Sequence, residues 1–337
     1  FSVKRFKISI IVRQMKQKKS FTFKLKHLNL ILVVMSLSYL TYQLNHYHHE
    51  NYGKLFLDVF ELGNRNLLYC AVALSIVNYA IEAKKWQILL RPLQAVTWWN
   101  AFKSVLAGLT LGVFTPNRAG EVVGKLIYLD LKEKMKAALL NFSGSMAQMI
   151  CTSLMGLWGL IIYTQYFGSL NWRIPATGLI FGIAVVCTML AFLIFFNQQK
   201  FFAWLSQKKW ADTIKIKFTH QQQFDSVMQL KVLLLSAIRY VVFSLQLVLL
   251  LRFCGMHAGV IQLFLLTTIF FLIIWFLPSA AILELGVRGS VALFLFGHLI
   301  NNSTIALLPV TLLWLANVAL PALVGCIFLF SFNDKEI

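Results

Sequence analysis

Long apolar runs recur along the chain, separated by short stretches rich in lysine and arginine. Residues 28–44, 67–90, 137–164, 174–196, 232–251 and 305–332 are each nearly continuous in apolar residues. At about 1.5 Å per helical residue, such runs match a hydrocarbon layer about 30 Å thick. In lipid only helices or closed barrels satisfy every backbone polar group. Barrel strands read as alternations of about ten residues, and these runs do not alternate, so helices are expected. The predicted fold class is all-α: a polytopic integral membrane protein with about six full spans plus two broken or re-entrant helical hairpins.

The first break reads F-T-P-N-R-A-G-E-V-V-G-K at residues 114–125. Pro116 and Gly120 interrupt the apolar run, and Arg118, Glu121 and Lys125 lie within it. Residues 104–115 are too few to cross the layer. Lys103 precedes the break, and Lys132, Lys134 and Lys136 follow it. Both flanks therefore belong on one side, and a re-entrant hairpin turning at Pro116-Asn117-Arg118 is expected. Its second arm would start near Asn117 and point its N-terminus, with free N–H groups, into the membrane. The second break follows the apolar run 260–277 and reads P-S-A-A-I-L-E-L-G-V-R-G-S at 278–290, with Glu284 and Arg288. Either 260–300 is a hairpin entering from the opposite side or it is two tilted spans; the hairpin is preferred. Paired broken helices of this kind point to a transport site.

Composition agrees with this class: 59% of the 337 residues are hydrophobic, and mean hydropathy is +0.72. The formal net charge is +19. In this setting it marks cytoplasmic loops and anionic lipid surfaces, not nucleic acid. Residues 1–27 carry nine Lys or Arg and no acid, and form a basic segment expected in the cytoplasm. Residues 28–332 are the transmembrane domain. Within it, 197–231 is a basic cytoplasmic loop, long enough for a surface helix but too short for a catalytic domain. Both termini are thus expected in the cytoplasm. No small-residue cleavage pattern follows the first apolar run, so no cleavable signal is expected. Trp86, Trp98 and Trp99 fit an interfacial belt. The mixed-charge segment 54–66 is expected to lie along the outer face. Five dispersed cysteines form no C-x-x-C pair and read as apolar fillers. His46, His48, His49 and Glu50 match no common zinc spacing, so no metal is expected. Ser143, Gly144, Ser145, Gly156 and Gly159 read as close-packing positions. Arg239, near the start of its span, is expected to snorkel.

Ionisable residues at membrane depth are costly, about 2.5–3.5 kcal/mol for an arginine on insertion scales, and lean towards function. Asn78 and Glu82 lie four apart on one helix face, and Glu82 is expected to pair with Lys85 or Lys84. Arg118 and Arg288 present planar forks suited to phosphate. Each needs a partner when no substrate is bound, with Glu121 expected to balance Arg118 and Glu284 to balance Arg288. Asn117 and Lys125 would line the approach. The candidate substrate-binding set is therefore Asn117, Arg118, Glu121, Lys125, Glu284 and Arg288.

The P-N-R-A-G-E at 116–121 and E-L-G-V-R-G at 284–289 resemble the flippase-like transmembrane domain of the lysylphosphatidylglycerol synthase/flippase family. That family has a P-x-R-x-G-E-type signature in its first half and G-G-x-G-x-R-E in its second. The segment N-Y-A-I-E-A-K-K-W-Q-I-L-L at 78–90 also resembles the family. The second motif departs from the pattern: Leu283 and Glu284 stand for two glycines, and Gly289 stands for a glutamate. The resemblance implies translocation of a lipid or lipid-linked substrate across the bacterial cytoplasmic (inner) membrane. The family's soluble aminoacyl-transferase domain has no room here, so synthesis of aminoacyl-lipid is not expected.

The leading expectation is a flippase whose partners are membrane lipids with an anionic headgroup, with homo-oligomerisation open. The alternative is a scaffold or accessory protein of envelope biogenesis. A lipid-modifying enzyme ranks lower, because no histidine or paired acids stand beside the arginines to act as base or metal ligands. Neither enzymatic activity nor a cofactor is expected. No G-x-x-x-x-G-K-[ST] loop occurs, so transport would be passive or driven by an ion gradient.

Overall fold

The computed structural model describes residues 52–113, 115, 118–127, 134–168, 177–206, 226–277, 284–300 and 303–330. The basic segment 1–27, the first apolar run, the histidine cluster at 46–49, Asn117 and both prolines of the breaks lie outside these residues. Every described element is helical, as the apolar runs demand. An interfacial helix, α1 (Tyr52–Leu62), leads through an Asn64 cap into α2 (Arg65–Leu90). The first broken unit is α3 (Trp98–Val113) and α4 (Ala119–Ile127). Two apolar helices follow, α5 (Lys134–Phe167) and α6 (Thr177–Phe196). The short α7 (Gln198–Ser206) occupies part of the basic loop, and α8 (Ser226–Phe253) starts within the loop's expected bounds. The second broken unit is α9 (Val260–Phe276) and α10 (Glu284–Phe296). The last span runs through α11 (Leu307–Trp314), a π-helical turn at Leu315–Ala319, and α12 (Leu320–Phe330). Four of these stretches are long and apolar enough to cross a membrane: 65–90, 136–167, 226–253 and 303–329.

The bundle has two chemically different ends. At one lie the end of α2, the start of α3, the start of α5, the end of α6 and the start of α8. Gln87 donates to the Val96 carbonyl there, Gln229 to the Phe195 carbonyl, and Ser143 bonds Gln198. Lys84, Arg91, Lys103, Lys134, Lys136, Lys200 and Lys231 sit on these segments, so this is the basic end. At the other end, Phe253, Cys254 and Leu308 form a small cluster with Val59 and Leu67. There α1 packs Phe60 edge-on against Phe253, with ring centroids 5.5 Å apart.

The broken units enter from opposite ends. Arms α3 and α4 are about 24 and 14 Å long at helical rise, too short to span. They run antiparallel with no room between them. A Cβ on Gly124 would lie 2.5 Å from the Ala107 carbonyl oxygen and 2.6 Å from Gly108 Cα. One on Gly108 would lie 2.7 Å from the Glu121 carbonyl oxygen. Gly108 and Gly112 on one arm, and Gly120 and Gly124 on the other, thus form two small-xxx-small faces pressed together. Ser104 seals the base by donating to the Lys125 carbonyl. The second unit starts and finishes near Cys254 and Leu308, at the end opposite the basic one. Phe270 of α9 meets Phe296 of α10 at 5.7 Å. Both ends of the second unit therefore lie on one side, as a hairpin and two tilted spans alike require.

Each hairpin has its own core. Trp86, Leu89, Leu106 and Ile150 pack around the first, and Leu247, Leu266, Phe270 and Phe296 around the second. Of the small-residue positions, Gly156 and Gly159 admit α9 to van der Waals contact through Leu272 and Thr268.

Candidate functional site

The tips of the two hairpins meet. Arg118 has φ 55°, in the left-handed region that non-glycine residues seldom adopt, and this turns the chain sharply into α4. Thr115 ties the turn: its hydroxyl donates to the Leu111 carbonyl at 2.9 Å and accepts from the Gly120 amide at 2.7 Å. The Thr115 hydroxyl therefore caps the N-terminus of α4, satisfying one of the N–H groups expected to be free. From this turn Arg118 reaches the other hairpin. Its Nη2 donates to both carboxylate oxygens of Glu284, at 2.9 and 3.2 Å. Arg288, one turn along α10, donates to the same carboxylate through Nε at 3.0 Å and through Nη2. One carboxylate therefore serves two guanidinium groups. The Glu284 and Arg288 side chains are nearly enclosed, whereas Arg118 remains 36% accessible.

Arg118 was expected to lean on Glu121 of its own arm. It bonds across the hairpins instead, because the left-handed turn directs the side chain away from α4 and towards α10. Glu121 pairs with Lys125, four residues on, at 3.0 Å. Lys125 is deeply buried. Its ammonium donates to Glu121, to Glu82 at 3.2 Å and to Asn141 at 3.0 Å, which engages all three of its protons. Lys125 thus sits inside the bundle below the hairpin tip, 5.7 Å from the Trp86 ring centroid.

Glu82 is more than half of a simple ion pair. Lys85 is 2.7 Å away, as expected from sequence, but Lys125 and Arg239 also bind Glu82, the latter at 3.0 Å. Arg239 does not snorkel to the surface: it turns inward, its Nε donating to Asn78 at 2.8 Å and Nη1 to Gln148 at 3.4 Å. Asn78 and Glu82, four apart on α2, are therefore bridged by a single guanidinium. The polar chain continues into the last span. Asn78 donates to Asn317 at 3.1 Å, Asn317 to Gln246 at 2.9 Å, and Gln246 to Ser75 at 2.6 Å. Tyr79 donates to the Asn317 carbonyl. Asn317 lies in the π-helical turn, where the widened backbone frees a carbonyl for that bond.

Charge counting gives both groups the same sign. The hairpin tips hold two arginines against one carboxylate. The Glu82 group holds Lys85, Lys125 and Arg239 against Glu82 and Glu121. Each group carries one excess positive charge.

Of the six candidate residues, five are described. The structure divides them: Arg118, Glu284 and Arg288 meet at the hairpin tips, whereas Glu121 and Lys125 join the Glu82 group. Asn117 lies outside the described residues. Sequence reasoning missed Arg239 as an inward-facing charge, Asn317 and Gln246 as buried polar partners, and the paired glycines of α3 and α4. The glycines had a readable signal, two four-residue spacings flanking the break. No group of three or more His, Cys, Asp or Glu able to hold a metal occurs among the described residues.

A family model described as the lysylphosphatidylglycerol synthase TM region matches residues 30–325, which include both broken units. No curated protein matches the chain.

Proposed function

Because the chain belongs to the family of the lysylphosphatidylglycerol synthase transmembrane region, we propose that it translocates an anionic phospholipid or lipid-linked substrate. In this reading Arg118 and Arg288 hold the headgroup where the hairpins meet. The observation that carries it is the sharing of Glu284 by two guanidinium groups within an apolar bundle. One positive charge is left over, and Arg118 Nε and Nη1 and Arg288 Nη1 have no partner among the described residues. A buried charge without a counter-ion costs several kcal/mol. A phosphate oxygen supplies that charge and accepts the spare donors in a planar, two-toothed geometry. Glu284 is then the resting partner that a headgroup displaces in part; Lys125, enclosed with Glu82, Glu121 and Asn141, lies below the tip and not in the approach. Asn117, next to Arg118 in sequence, is assigned to the approach.

Hairpins entering from opposite ends suit alternating access, since each can open its own side while the other stays closed. The membrane is the bacterial cytoplasmic membrane, and the basic end faces the cytoplasm by the positive-inside rule. The protein moves its substrate without changing a covalent bond.

The test is translocation of a fluorescent phosphatidylglycerol in proteoliposomes, read by quenching from one side. Arg118→Ala and Arg288→Ala should each abolish protein-dependent translocation while the protein still inserts and elutes as a single species. Wild-type rates in both variants would remove the headgroup role of these arginines.

A further inference from the structure

Arg239 stands outside the hairpin tips, on α8, where it bridges Asn78, Gln148 and Glu82. Its neighbours do not need its charge. Glu82 already has Lys85 at 2.7 Å and Lys125 at 3.2 Å, and Glu121 has Lys125. With Arg239 removed, two ammonium groups face two carboxylates and the group is neutral. Arg239 is therefore the source of the surplus charge. Its guanidinium has five N–H donors. Nε is given to Asn78, and Nη1 is shared by Gln148 and Glu82. Nη2 has no partner among the described residues. The side chain is 25% accessible, whereas Lys85 and Lys125 beside it are enclosed, at 3% and 4%. Asn78, Gln148 and Glu82 come from two helices and hold the guanidinium in one orientation, which leaves it organised for a further acceptor.

We propose that Arg239 is a second phosphate-binding station, separate from the tips, to which the headgroup passes from Arg118. The ligand class is a phosphate mono- or diester. The proposal rests on the headgroup reading of the tips and extends it to a two-step path. At each step the anion meets one surplus positive charge, so neither site traps it. Multiple weak sites in series favour passage over tight binding.

The experiment uses the full-length protein in phosphatidylglycerol-containing proteoliposomes, with R239Q, R239K and R118Q compared by translocation rate and by thermal melting in detergent. R239Q is expected to melt close to wild type, because the remaining charges balance, and to translocate about tenfold or more slowly, as loss of a charge-assisted bond implies. R239K keeps the charge but cannot span Asn78, Gln148 and Glu82 together, and is expected to recover to within about threefold of wild type. If R239Q moves lipid at the wild-type rate while R118Q does not, the second station is wrong and the tip site stands. If R118Q and R239Q both move lipid normally, the tip reading falls as well. If R239Q melts low and R239K is equally slow, Arg239 is a structural bridge and the proposal is overturned. A free-anion arm identifies the source of the phosphate. Inorganic phosphate that raises the melting temperature of wild type but not of R239Q supports the station as a phosphate site open to small anions. Protection by phosphatidylglycerol alone supports it as a headgroup site. Protection of R239Q equal to wild type by both probes overturns it.

Discussion

Glu284→Gln isolates the contact on which the meeting of the hairpins depends. In the native protein this carboxylate accepts from Arg118 at 2.9 and 3.2 Å and from Arg288 through two nitrogens. Removing one partner of a buried pair costs about 3–5 kcal/mol. Arg288 is 12% accessible and bears most of that cost. Arg118 is 36% accessible, so its share falls towards the ~0–1 kcal/mol of a surface pair. The glutamine keeps a neutral acceptor, which places the loss at about 3 kcal/mol. Arg118→Gln is different, because Glu284 keeps Arg288, and about 1 kcal/mol is expected. Combined, the two changes should cost little more than Glu284→Gln alone. Unfolding of purified protein in mixed micelles, followed by tryptophan fluorescence, measures all three variants. Losses that add to within about 0.3–0.5 kcal/mol would mean that Arg118 and Glu284 do not interact, and the two hairpins would then not meet through these side chains. The same variant also reports on ligand. Glu284→Gln raises the local surplus from one positive charge to two, so anionic lipid should stabilise it more than wild type, by mass action on the folded state.

Three further outcomes follow from the packing. Gly124→Leu places a side chain where a Cβ already lies 2.5 Å from the Ala107 carbonyl oxygen. The arms must separate, and folded yield by size-exclusion chromatography should fall sharply, whereas Gly182→Leu, which meets nothing within 4 Å, should be neutral. Asn317→Leu removes the shared partner of Asn78 and Gln246 and should cost about 1–3 kcal/mol for the buried groups left unmatched; the same micelle unfolding measurement checks it. Lys125→Met leaves Glu121 without its cation and should destabilise by about 3–5 kcal/mol. Adding Glu121→Gln should recover part of that loss, and a double variant no more stable than the single one would refute the pairing.

How much could be read in advance differs between elements. Helical class, the long spans and both interruptions follow from local chemistry. Apolar runs must close their own hydrogen bonds in lipid, and a proline followed closely by glycine and charged side chains marks a break, whereas Pro321 in the uncharged last span does not stop its helix. The short arms were legible for the same reason, since 16 residues in α3 cannot cross 30 Å. The functional candidates Arg118, Glu284 and Arg288 stood out because a guanidinium or carboxylate in an apolar run is expensive anywhere along it.

Partners are another matter. Residue spacing suggests Arg118 with Glu121, because side chains three apart on a helix face each other. The left-handed backbone at Arg118 cancels that logic, and the arginine finds Glu284, 166 positions away. Arg239 and Asn317 likewise look ordinary in sequence, one near a span end and the other inside a span, yet they converge on Asn78. The amino-acid order alone determined where the chain must be helical, where it must break and which charges are too costly to be idle, since each is a property of a few neighbouring residues in an apolar solvent. Only the tertiary structure decided which charges share a carboxylate and which carry the surplus, because that depends on how distant helices approach and rotate.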